Sequence, residues 1–186
     1  TLYSRDFCQV CHDRLAPGGL MVQWVPVFRM SPGNIQVIMR SFLDVFPEST
    51  VWYNGTAVLM VGSRGRPLQI HLDRLLSRGR DPRVERSLAM VGAPDPWLLL
   101  SMFVGDGAAV GRLFADDLPE NTDNRPYLEY TVLRTRERAQ EKWVLGMLPR
   151  LAGPLEPHLA PEGMVPGYGT DFQLTRRVAN AFFQAR

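Results

Sequence analysis

Apolar residues recur at four-residue spacing through Phe7, Cys11 and Leu15, behind a Ser4 that reads as a helix cap, and the pattern stops at Ala16-Pro17-Gly18-Gly19. Four-residue spacing keeps side chains on one helical face, so a short packing helix is predicted there, with Cys11 inside and His12 pointing outward. Leu20 to Val27 is almost wholly apolar, too short and too β-branched for a helix, and predicts a strand buried on both faces. Ser31 and Pro32 supply a cap and a first-turn proline. Ile35, Met39, Phe42, Leu43 and Phe46 then follow at helical spacing as far as Pro47. Ser49 to Ser63 holds two β-rich runs around Asn54-Gly55, a hairpin signal. The order helix, buried strand, helix, hairpin is that of the closing half of an α/β sheet with an antiparallel edge.

Beyond Leu68 the pattern changes. Asp81-Pro82, Asp95-Pro96 and Asp106 read as helix starts, and Gly79, Gly92 and Gly105 fall where the preceding helices end. Short helices are therefore expected from Leu72 to Ala115, burying Leu75, Leu76, Val84, Leu88, Leu99, Phe103, Leu113 and Phe114. Gly105 to Gly111, "GDGAAVG", has the glycines of a phosphate loop, but no strand is predicted before it, so it reads as a helix junction. "LPENTDNRPYLEYTV" (Leu118 to Val132) supplies turn formers and then a run expected to be extended. A polar helix is expected from Leu133 to Leu148, a Pro/Gly linker from Pro149 to Tyr168, and a last amphipathic helix from Asp171 to Ala185. These divisions give three segments: 1–67 as the sheet, 68–148 as a helical region, and 149–186 as linker and terminal helix.

Composition narrows the function classes. Among 186 residues, 21 basic and 19 acidic side chains leave a formal charge of +2, which gives no electrostatic case for nucleic acid. No apolar run approaches the ~20 residues of a spanning helix. A start at Thr1, already at the entry to a helix, suggests a piece of something longer.

Cys8, Cys11 and His12 have the Cys-x-x-Cys-His spacing that attaches a c-type haem. A haem also needs a distal ligand, and Met30, Met39 and Met60 all fall in or beside runs that read as core. Zinc needs a second ligand pair, whereas His71 and His158 stand singly. A thioredoxin-type thiol pair sits at a helix N-terminus after a strand; here the pair lies inside a helix before one. Packing is the preferred reading, with haem and a metal or redox site as alternatives.

"LYSRDFCQVCHDRLAPGGLMVQWVPVFRMSP" resembles a stretch of spermidine and spermine synthase-like proteins in which a helix leads through Pro-Gly-Gly into a hydrophobic strand. "NTDNRPYLEY" (Asn121 to Tyr130) is similar to a segment near the end of the bacterial branch of that family, where the domain is often joined to a membrane region. The two cover roughly Leu2 to Tyr130. The resemblance implies an α/β fold, the C-terminal half of a Rossmann-like methyltransferase-type sheet. One parallel strand, Leu20 to Val27, would be the fifth, and Thr50 to Ser63 the closing antiparallel hairpin, followed by a mainly helical region. It implies aminopropyl transfer from decarboxylated S-adenosylmethionine, the co-substrate of the parent, to a polyamine. The nucleotide site and catalytic Asp of the family lie upstream of this chain's first strand, so the chain itself is expected to hold no cofactor and no catalytic residue.

What remains is a substrate-side wall. Gln23, placed at the strand end, matches a family glutamine that helps hold the amine. Trp52 stands where the family has a tyrosine three residues before Gly55, with Tyr53 beside it, so the resemblance leaves ring stacking open there and puts the hydroxyl's role in doubt, and packing in the sheet core is the other reading of both rings. Asp123 belongs either to a structural clasp or to a lid that meets a polyamine cation. Expected partners are the missing N-terminal half of the domain, a polyamine in the parent, and a second copy of the chain. The expected location is the cytoplasm, with membrane tethering through an N-terminal region. The alternative reading is a noncatalytic interaction or oligomerisation module using the open edge of an incomplete sheet.

Overall fold

Ser4 does what its position predicts: its hydroxyl accepts the Phe7 N–H at 3.1 Å and opens α1, Arg5–Arg14. Such a cap contributes about 1 kcal/mol. Gly18 then turns the chain at φ +74°, a conformation costly for any residue with a Cβ. The run that follows is β1, Leu20–Pro26. Ser31 caps α2, Pro32–Leu43, through the Asn34 N–H, with Pro32 in the first turn. The hairpin is β2, Thr50–Tyr53, and β3, Ala57–Ser63. Its turn is built by the Asn54 side-chain oxygen, which accepts from the Thr56 and Ala57 N–H groups, and by Gly55 at φ +92°. Five further short elements are α3, Leu72–Gly79, α4, Pro82–Met90, α5, Pro96–Ser101, β4, Phe103–Asp106, and α6, Gly107–Gly111. α7, Tyr127–Thr131, follows, and two short 3-10 helices, Glu156–His158 and Pro161–Gly163, come after it.

This is a computed structural model, and it describes residues 1–27, 30–90, 93, 95–114, 117–131, 146–147 and 150–169. The helices expected over 133–148 and 171–185 lie outside the described residues, apart from 146–147. The chain divides into two units, Thr1–Leu68 with Val104–Pro154, and Gln69–Phe103 with Leu155–Arg186.

The protein is α/β, with a four-stranded sheet in the order β1-β3-β2-β4, and its strands pair antiparallel throughout. No parallel strand is seen among the described residues, where Leu20 to Val27 was expected to be one. β3 comes back from the hairpin and inserts between β1 and β2, opposed to both. β1 and β2 run in the same direction but never touch as neighbours.

Seven residue pairs register β1 on β3, from Leu20 opposite Ser63 to Pro26 opposite Ala57. Strand alternation then sorts the side chains. On one face, Val25, Val58, Met60, Val51 and Tyr53 join Cys8 of α1 and Ile35, Ile38, Met39 and Phe42 of α2 in the core of the first unit. Phe46, just past α2, lies under β3, where a Cβ on Gly62 would come within 2.5 Å of its ring. On the other face, Trp24, Leu59 and Trp52 form one row across three strands, and Val22, Val61 and Thr50 the next. Leu20, Val22 and Trp24 there are 48, 58 and 45% exposed. So β1 is not buried on both faces, as its apolar run predicts: the core helices cover one side only.

Two further corrections concern the middle of the chain. Phe103–Asp106, expected in helix, is strand β4 beside β2, and its Gly105 packs so closely on the Leu151 carbonyl that a Cβ would lie 2.1 Å from its oxygen. Tyr127–Thr131, expected to be extended, is helical, and the Asn121 side-chain oxygen accepts the Leu128 N–H in its first turn.

In the second unit, Leu72, Leu100, Phe103, Leu155, Leu159 and Tyr168 are buried. Leu75, Leu76, Val84, Leu88 and Leu99, expected as buried faces, are only half-buried, and α4 buries no residue. Residues read as linker are packed: Ile70 donates to the His158 carbonyl at 2.8 Å and accepts from Ala160 at 2.9 Å.

Gly62→Ala is expected to destabilise the chain by about 1–3 kcal/mol, since the new methyl meets a ring that is itself fully packed. Gly111→Ala, with open space at its Cβ, is expected to be neutral or slightly stabilising. Urea denaturation followed by circular dichroism compares the two.

Candidate functional site

Gln23 sits at the middle of β1, opposite Met60, not at the strand end where the sequence places it. It is 6% exposed on the core side, and its amide donates to the Trp24 carbonyl at 3.1 Å. Trp52 is on the opposite face of the sheet, and its indole N–H donates to Thr50 Oγ1 at 2.9 Å. Tyr53 returns to the core side, buried, with its hydroxyl donating to the Gly55 carbonyl at 3.0 Å. A strand points successive residues to opposite faces, so Trp52 and Tyr53 cannot line one pocket together, nor can Trp52 with Gln23. The sheet thus separates the residues that the resemblance groups.

Asp123 lies elsewhere in the same unit, at the start of α1. Its carboxylate accepts from the Ser4 hydroxyl at 2.7 Å and from the Thr1 ammonium, and its own N–H donates to Asp6 Oδ2 at 2.7 Å. Asn121, almost fully buried, accepts the Arg5 N–H on its carbonyl and donates its amide to the Tyr3 carbonyl at 3.0 Å. This is a clasp between two segments some 118 positions apart. It anchors the start of α1, and through the Leu128 N–H also the first turn of α7. The hydrogen bond from the Thr1 ammonium, then that from Ser4, hold the Asp123 carboxyl below the usual carboxylate range.

The Cys-x-x-Cys-His segment is a packing helix, but turned from its expected orientation. Cys8 is the buried residue and Cys11 is half-buried, because the buried Ser4 cap carries Cys8, four positions on, to the inside. Burial, then the nearby Cys11 and Asp44, push the Cys8 thiol up to about 12. His12 does not point freely outward: its ring meets Phe46 edge-on at 5.4 Å, and Nδ1 lies 3.2 Å from Asp13 Oδ1. Among the described residues no group of three His, Cys, Asp or Glu side chains is placed to hold a metal ion.

A strand does precede "GDGAAVG", contrary to the sequence reading, since β4 runs directly into α6. The loop nevertheless has no free cradle. The Gly107 N–H donates to the Ser49 carbonyl at 2.7 Å, and a Cβ there would strike Leu43 and Ser49. Asp106 caps α6 through the Ala109 N–H.

The feature sequence reasoning missed is the outer sheet face. Leu20, Val22 and Trp24 alternate with Met21 and Gln23, but in an apolar run no period separates covered from uncovered positions. Among the described residues β1 has β3 on one edge and no strand on the other. No helix among them is long and apolar enough to cross a membrane. Comparison with protein-family models, curated proteins and solved structures gives no match.

Two outcomes follow from this geometry. Iodoacetamide under native conditions is expected to label Cys11 well before Cys8, with both reacting in denaturant, as read by peptide mass spectrometry. The lowered folded pKa of Asp123 gives a stabilisation that is fully present above its unfolded value and is lost as pH falls through the folded one. Asp123→Asn is therefore expected to flatten the acid side of the thermal-stability profile and to leave the slope above about pH 6 unchanged.

Proposed function

We propose that this chain is the C-terminal part of a spermidine synthase-like domain whose parent moves an aminopropyl group from decarboxylated S-adenosylmethionine to a polyamine amine. The observation that carries the reading is β1. It is seven residues long, uncharged, paired among the described residues on one edge only, and exposes Leu20 and Val22 on a face that in a complete α/β sheet is covered. Further strands upstream, with their crossover helices, would extend the sheet at that edge and cover that face. The order helix, Pro-Gly-Gly turn, strand, helix and returning hairpin supports it, as does the clasp that uses "NTDNRPYLEY" to hold the helix leading into β1.

In this reaction a neutral amine attacks the carbon beside a sulfonium, the carbon–sulfur bond breaks and the sulfur leaves as a neutral thioether, so an ammonium must first lose its proton to a carboxylate. In this reading that carboxylate, like the nucleotide site, belongs to the upstream half. The chain contributes the sheet edge against which that half folds. Trp52 is its remaining candidate for the amine wall; Gln23 and Tyr53 act as packing residues, and Asp123 as part of the clasp.

A second reading, a noncatalytic module that associates through the same β1 edge, is favoured by the lack of any charge from Leu20 to Val27.

Calorimetry of the 186-residue chain with decarboxylated S-adenosylmethionine is expected to show no binding. The chain extended by its natural upstream sequence is expected to bind it and to transfer the aminopropyl group to putrescine or spermidine. Binding by the chain alone, or an extended chain that neither binds nor transfers, would reject the first reading. A stable dimer of the chain that Val22→Lys disperses, with an inactive extended form, would establish the second.

A further inference from the structure

The second unit holds a groove along α3 that neither reading uses. Two adjoining cavities, of about 400 and about 420 Å³, share Leu76, Arg80 and Trp97. Their floor is tightly set, because α3 and α5 meet at Gly79, where a Cβ would fall 2.1 Å from Pro96. The Trp97 ring lies against the Tyr168 ring, 6.2 Å away, and its backbone N–H donates to Asp95 Oδ1 at 2.8 Å.

The charges around the first cavity are mixed and separate. Arg80, Glu85 and Asp95 all line it, yet none of the three forms an ion pair with another. A simple anion there would meet the guanidinium but also two carboxylates. A simple cation would meet the carboxylates but also the guanidinium. A ligand that carries both signs a few ångströms apart satisfies all three groups. Leu76, Pro96 and Trp97 add an apolar wall, and the second cavity continues past Trp97 to Val165 and Pro166. The volumes lie within the ~300–1,000 Å³ range of small-molecule sites.

We propose that this groove binds a free α-amino acid with a large apolar side chain. The carboxylate is taken by Arg80, the ammonium by Glu85 and the second oxygen of Asp95, and the side chain lies against Leu76 and Trp97. The proposal is independent of the aminopropyl-transfer reading.

Calorimetry of the full 186-residue chain with millimolar leucine, phenylalanine and tryptophan tests it, alongside their N-acetyl and carboxamide forms. Saturable binding of at least one free amino acid is expected, weakened about ten- to hundredfold by capping either end. Arg80→Met and Glu85→Gln are each expected to weaken binding by a similar factor with an unchanged far-ultraviolet spectrum. Failure of all three amino acids to bind, equal binding of the capped forms, or wild-type binding by both variants would overturn the proposal. Should a variant fail to fold, the capped ligands on the unaltered chain still decide.

Discussion

The register of β3 against β1 is the constraint on which the rest of the first unit depends. Side chains alternate along a strand, so a slip of β3 by one residue would turn Val58 and Met60 outward and bring Leu59 in, while Val25 of β1 stayed on the core side. Two local devices pin it. At one end Asn54 and Gly55 fix the hairpin and hence the pairing of β2 with β3. At the other, Phe46 fits only beneath a residue without a side chain, and Gly62 is the position that supplies one. Arg64 continues the lock by donating from its guanidinium to the Asp13 and Leu15 carbonyls at the end of α1. Helix, strand and hairpin are thereby tied into one core.

Local signals were legible in the sequence where a single residue type decides the geometry. The Ser4 and Ser31 caps, Pro32 in a first turn, the Asn54-Gly55 hairpin and the Asp95 cap all appear where they are read. What depends on distant partners was not legible. β4 is a strand because it pairs with β2, a neighbour that sequence proximity does not announce. Tyr127–Thr131 is helical although its residues favour extension, because Asn121 caps it across seven positions. The candidate site failed for a related reason. A family resemblance groups Gln23, Trp52 and Tyr53 by linear position, whereas strand parity puts Trp52 on the far face.

The clasp shows how a polar cluster replaces hydrophobic packing where the chain crosses itself. Asn121 is buried, and such an amide is tolerated only with its donors and acceptors engaged. It meets that demand with the Tyr3 carbonyl and the Leu128 N–H, and its own carbonyl takes the Arg5 N–H. One side chain therefore joins the entry of α1 to the first turn of α7. Asp123 adds charge at the same helix start, where the N-terminal end of the dipole favours a carboxylate. The rearranged view of the Cys-x-x-Cys-His segment follows from this anchorage, since fixing Ser4 also fixes which side of α1 faces Phe46.

The long separation between β1 and its pairing strand also bears on synthesis. Leu20 is made about 40 residues before Ser63, its partner. At ~5–20 residues per second, the uncharged strand waits roughly two to eight seconds before the returning hairpin reaches it. During that interval the edge of β1 that β3 will cover is open. The hazard of mispairing at that edge is greatest before the hairpin closes.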